Sequence, residues 1–161
     1  AFFTAQEEAG KSWRYVYEWF KKNNITTNEL LVLDTSPYET RLEADVQQVV
    51  LRNRDVNARF KSPILKQLKN FCHKNKIDFS CKDTFIQEKN KVRKEKNLPL
   101  LTLGSTELGR IVMESKGSIQ GTTLQIPTTG YHTVEETASI KAVKAILYIL
   151  SSFYIDNKKA W

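Results

Sequence analysis

A three-layer α/β/α domain built on a mostly parallel mixed sheet is the fold class this chain predicts. Two patterns predict it. Short aliphatic or β-branched runs alternate along the sequence with segments whose apolar residues recur every three or four positions, which reads as strands interleaved with helices. One of those runs, Leu30-Leu31-Val32-Leu33, is continuously apolar, as in a strand buried on both faces.

Taken in order, residues 2–6 read as a strand. Residues 10–23 read as a helix with Trp13, Val16, Tyr17 and Phe20 on one face, stopped by Asn23-Asn24. The strand at 30–33 ends in Asp34, followed by the turn residues Thr35-Ser36-Pro37. Residues 46–53 alternate enough for another strand, and Ser62-Pro63 pairs a cap with a first-turn proline to open a helix through His73. Ile77 to Cys81 reads as a short strand, and the lysine-rich stretch 83–97 as an irregular or helical surface excursion. Gly104-Ser105-Thr106-Glu107 caps a helix over 106–116, and Thr122 to Pro127 is a strand closed by Thr128-Thr129-Gly130. Thr133 precedes a last helix carrying Ala138, Val143, Ile146, Leu147, Ile149 and Leu150. No internal repeat or flexible linker interrupts the series.

The length of 161 residues fits one domain, and 40% hydrophobic residues with 11% aromatics suffice for a core. No apolar run is long enough to span a bilayer, and residues 1–20 lack the features of a signal peptide. With only Cys72 and Cys81, a disulfide framework is disfavoured and a reducing, cytoplasmic compartment is expected. Because Ala1-Phe2-Phe3-Thr4 reads as the inside of a strand, the chain is expected to be the C-terminal part of a longer protein. The net charge of +7 gathers in two stretches, Lys66 to Lys82 and Lys89 to Lys96. The second has no aromatic residue for base stacking, so a solvated face is favoured over a nucleic-acid patch.

Chemistry-bearing residues fall at predicted strand ends. Glu7 and Glu8 stand side by side after the first strand, Asp34 after the second, and His132 after the last. Adjacent carboxylates at the carboxyl end of a buried strand are costly unless a cation meets them, which points to a metal site or acid/base chemistry. A favourable helix-dipole pair at Glu7-Glu8, an Asx turn at Asp34 and a cap at His132 are the structural alternatives. Cys72-His73 with Cys81 matches no zinc-knuckle spacing, so the cysteines are expected to be small core residues and His73 exposed.

Four stretches belong together: Phe3 to Gly10 (Phe-Thr-Ala-Gln-Glu-Glu-Ala-Gly), Leu31 to Pro37, Gly104-Ser105-Thr106-Glu107, and Ile126 to Thr133 with Glu135 following. In this order they resemble the glutamyl aminopeptidase and cellulase-M-like family of co-catalytic metallopeptidases. The resemblance runs to about residue 150, with a lysine-rich insertion near 83–98. It implies a zinc-peptidase-like fold and two divalent metal ions, zinc or else cobalt or manganese. In it Glu7 would be the general base, Glu8 and His132 would bind one metal and Asp34 the other, and Glu107 would contact the peptide substrate. Glu107 stands where that family usually has Asp. The resemblance also places an earlier His and a bridging Asp before residue 1. The chain by itself is therefore expected to be inactive, and an oligomer is one possibility. A catalytically inactive assembly module and a basic nucleic-acid-binding domain are the other readings.

Overall fold

The computed structural model describes residues 1–3 and 9–155 of the chain. Its elements are helices α1 (Ser12–Lys22), α2 (Arg41–Asp45), α3 (Ile64–Lys74), α4 (Lys82–Glu95), α5 (Glu107–Glu114) and α6 (Ile140–Tyr148), with strands β1 (Thr27–Pro37), β2 (Val49–Arg52), β3 (Phe79–Cys81), β4 (Ile119–Thr129) and β5 (Thr137–Ala138). The five strands form one mixed sheet in the order β1-β4-β2-β3, with β5 folded back on the end of β4. β1 runs parallel to β4, and β2 parallel to β3, whereas β2 and β5 are antiparallel to β4.

Alternation along the strands separates two helical layers. Leu31, Val49, Leu51 and Leu124 face α3 and α6, where they meet Leu68, Cys72, Ala145 and Ile149. Leu30, Val32 and Ile119 face the other way, against Val16 and Phe20 of α1 and Leu108, Ile111 and Val112 of α5. Val50 shares that second side with Tyr38, Ala44 and Phe85. Each fully buried leucine here contributes about 1.5–3 kcal/mol of transfer free energy. The helix after α6 widens into a π-helical stretch, Ile149–Ile155, in which Phe153 packs on Phe71 at 5.4 Å.

Some sequence expectations are corrected and others are met. Phe2 and Phe3 form no strand; Phe2 packs edge-on against Trp19 at 5.0 Å, so α1 recruits the residue as a packing partner. The rest of the expected first strand lies outside the described residues. β1 is longer than its apolar core, because pairing with β4 extends from Leu30 to Pro37. It has one hydrogen-bonded neighbour among the described strands, and Leu33 is 52% exposed, so it is not buried on both faces. Asp34 consequently sits inside the strand, opposite Gln125, rather than at its end. Residues 82–95 are helical, with Lys89 and Arg93 paired to Glu43 and Glu39. Thr133 does not open the last helix; residues 130–136 turn back into β5, and Ser139 caps α6 by accepting from the Ala142 amide at 3.0 Å. Cys72 is fully buried and His73 exposed, edge-on to Phe79 at 5.0 Å. No helix among the described residues is long and apolar enough to cross a membrane.

Candidate active site

The start of α5 is held by a buried carboxylate. Asp55 Oδ2 accepts from the Thr106 amide at 2.7 Å and the Thr106 hydroxyl at 2.9 Å, while Oδ1 accepts from the amides of Asn57 and Ala58 at 2.7 and 3.0 Å. Thr106 Oγ1 in turn accepts from the Gly109 amide at 3.1 Å, completing an N-cap. A negative charge at this end of the helix also matches the helix dipole. Residue 109 must be glycine, since a Cβ there would lie 2.0 Å from Asp55 Oδ2. Glu107 is thereby set on the first turn of a rigid helix.

A second tether joins α5 to the segment before α1. Arg110 donates through Nη1 to the Gly10 carbonyl at 2.6 Å and through Nε to Ser105 Oγ at 3.1 Å, and Trp13 Nε1 donates to the same carbonyl at 3.1 Å. Gly10 has φ of +64°, and a Cβ on it would lie 2.7 Å from Arg110 Nη1. The chain immediately after Glu7-Glu8 is therefore fixed over the end of α5.

Between these tethers and the turn after β4 lies a small cavity of about 170 Å³, lined by Gly10, Trp13, Glu107, Arg110, Tyr131 and His132 among others. His132 has a left-handed backbone, φ +59°, which aims its ring against Tyr131 with centroids 3.8 Å apart. Its amide donates to Glu136 Oε2 at 3.3 Å, bracing the turn.

Asp34 belongs to a polar chain that crosses the sheet. Its Oδ2 accepts from Gln125 Nε2 at 3.0 Å, and its Oδ1 accepts from the Thr35 amide at 2.7 Å. Gln125 Oε1 accepts from Arg52 Nε at 2.7 Å, and Arg52 Nη1 donates to the Leu103 carbonyl at 2.8 Å. Burial pulls the Arg52 guanidinium below its ordinary value, with Asp34, Asp55 and Asp83 opposing that shift. Nearby, Lys82 is 4% exposed, donates to the Pro37 carbonyl at 2.6 Å and lies 4.2 Å from the centre of the Tyr38 ring. Burial lowers its ammonium to about 8, Arg52 adding to the effect and Glu43 opposing it.

Of the residues singled out in the sequence, Glu107 and His132 meet at one cavity, which Asp34 does not line. Glu7 and Glu8 lie outside the described residues, three and two positions before the tether at Gly10. Among the described residues no three His, Cys, Asp or Glu side chains are grouped to hold a metal ion. Asp55, Arg110 and the Arg52-Gln125 pair escaped the sequence reading. A glutamine inside the β-branched run of β4, and an arginine ending Val49-Val50-Leu51, were the available signals, because a polar residue in a buried strand needs a partner.

No protein-family model matches the chain, and no curated protein matches it either. Among solved structures the chain is similar to one titled "3-D structure of PhTET1-12s, dodecamer in the asymmetric unit", with a TM-score of 0.63 at 17% sequence identity. The match covers 94% of this chain and 39% of the other, so this chain spans well under half that structure's length. At such identity the likeness is one of fold, an α/β domain on a mixed sheet.

Proposed function

We propose that this chain is the larger C-terminal portion of the catalytic domain of a metal-dependent aminopeptidase-type hydrolase that removes N-terminal residues from short peptides. The cavity carries the reading. Three stretches legible separately in the sequence converge on it: Gly10, which follows Glu7-Glu8 in the chain, the loop at Ser105 to Glu107, and the Tyr131-His132 turn. Similarity in fold to PhTET1-12s supports it.

In this reading Glu7 is the general base, Glu8 and His132 hold one divalent ion, Asp34 holds the other, and Glu107 contacts the peptide. Zinc, cobalt or manganese suits such donors. When bound, the ions supply an acidified water and charge stabilisation. The chain's own residues orient the donors. Gln125 and the Thr35 amide fix the Asp34 carboxylate, as ligating carboxylates are usually fixed by hydrogen bonds. Tyr131 packs on the His132 ring, and Arg110 anchors the chain at Gly10, two residues after Glu8. The remaining ligands come from a segment outside this chain. A cytoplasmic location and assembly into a homo-oligomer belong to the same reading.

The test uses the protein at its natural length, assayed on aminoacyl-p-nitroanilides with metal content measured by mass spectrometry. Glu7→Gln is expected to lose roughly 10²- to 10⁴-fold in turnover while keeping its metal, because a general base need not be a ligand. Glu8→Ala is expected to lose metal as well as turnover. Equal metal loss in the two variants, or undiminished turnover in Glu7→Gln, overturns the assignment.

A further inference from the structure

Away from that cavity, the lysine-rich helix α4 builds a groove with the segment that follows it. Ile86, Asn90, Lys91 and Lys94 form one wall, and Leu100 to Leu103 the other, enclosing about 510 Å³ over a mainly apolar floor. It continues past Arg54, Asp83 and Gln87 into a second hollow of about 520 Å³ edged by Arg59 and Lys61.

The far wall is held in place. Asn90 Nδ2 donates to the Leu101 carbonyl at 2.9 Å and its Oδ1 accepts from the Leu101 amide at 2.8 Å, while Arg93 Nε donates to the Pro99 carbonyl and Arg52 to that of Leu103. These anchors fall on alternate residues, 99, 101 and 103. The peptide groups of Leu100 and Thr102 make no hydrogen bond among the described residues, and Leu100 is 58% exposed.

Charge is distributed unequally around this groove. Lys89 and Arg93 are engaged with Glu43 and Glu39, but Arg54, Arg59, Lys61, Lys91 and Lys94 are exposed and form no ion pair among the described residues. Asp83 is the one acidic residue lining either hollow. Neither hollow exposes a stacking platform for bases: the aromatic residue in their lining, Phe60, is 6% exposed.

We infer that this groove is a docking site for an acidic, extended peptide segment whose apolar side chains enter the floor between α4 and Leu100–Leu103 while its carboxylates meet Arg54, Lys91 and Lys94. An apolar trough with a mainly basic rim fits such a partner better than a phosphate backbone, which needs charge without a greasy floor. The free backbone groups at Leu100 and Thr102 suit an extended chain, which brings its own donors and acceptors.

Fluorescence anisotropy tests this on the 161-residue chain with a labelled twelve-residue peptide of alternating glutamate and leucine. Binding is expected, weakened about tenfold by K91E/K94E, in line with two lost surface ion pairs replaced by repulsion, and weakened further by salt. Because both lysines are exposed, circular dichroism should show unchanged melting in that variant. Leu100→Glu should weaken binding independently. The inference is overturned by no binding at millimolar peptide, by equal binding of a glutamate–glutamine peptide lacking leucine, or by unchanged affinity in K91E/K94E. Tighter binding of a twelve-nucleotide oligothymidylate than of the peptide overturns it in favour of nucleic acid.

Discussion

On one side of the sheet Val49, Leu51 and Leu124 meet Leu68, Cys72 and Ile149, a set of aliphatic side chains and one thiol. On the other side the same strands carry Arg52, Gln125 and Asp34 in a hydrogen-bonded row, with Lys82 buried beside Tyr38 and Asp55 buried under α5. The first side can be assembled by shape and burial alone. The second must satisfy direction as well, because each buried polar atom requires a partner at hydrogen-bond distance. The cavity with Glu107 and His132 lies on that directional side, at the end of α5. The contrast shows the aliphatic side as the foundation and the polar side as the part that orients chemistry.

Three measurements can break or sharpen this comparison. Leu68→Ala, at a position with no exposure, is expected to cost about 4 kcal/mol through lost transfer energy and a cavity. Urea denaturation would measure it, and a loss below about 1 kcal/mol would mean that the aliphatic side is not what carries stability.

The next effect depends on pH. Burial holds the Lys82 ammonium at about 8 in the folded chain, below its ordinary 10.5, so between those values the unfolded chain holds the extra proton. Stability therefore rises with pH across that window; the burial penalty is fully present below 8 and relieved as pH approaches 10.5. Its size is about 3 kcal/mol at most. Denaturation series from pH 7 to 10.5 should show a steeper rise in the native chain than in Lys82→Met, and parallel curves would remove Lys82 from the account.

The smallest effect tests the row itself. Gln125→Leu keeps the volume nearly constant but removes a donor to Asp34 and an acceptor for Arg52, which is expected to cost about 2 kcal/mol. If the variant proved as stable as the native chain, the row would be a passive feature of the packing. Hydrogen exchange at the Thr35 amide, which donates to Asp34, would report the local change.

Much of the frame was legible in the residues. The three- and four-residue spacing of Trp13, Val16, Tyr17 and Phe20 marks α1, Ser62-Pro63 marks the start of α3, and Thr106 caps α5 as its position before Glu107 suggests. Such signals are local: periodicity and capping depend on neighbours within one or two turns. β5 left no trace because two residues carry no period, and the true length of β1 was hidden because its polar end, Asp34 to Pro37, is a strand only through pairing with β4.

The candidate site divides in the same way. Glu107 and His132 could be picked out by residue type and motif, but their convergence with Gly10 and Arg110 depends on how α5, the segment before α1 and the turn after β4 close on one another. Composition and spacing alone determined an α/β chain with helices on both faces of a sheet and a lysine-rich surface excursion after Cys81, which the structure makes a helix. Only the tertiary structure decided that Asp34 joins Gln125 and Arg52, that Asp55 holds the end of α5, and that the unpaired lysines of α4 border an apolar groove. The reason is physical: a helix or strand is encoded by contacts between near neighbours, whereas a buried hydrogen bond such as that between Arg52 and Gln125, 73 residues apart, exists only once register and packing have set the distance.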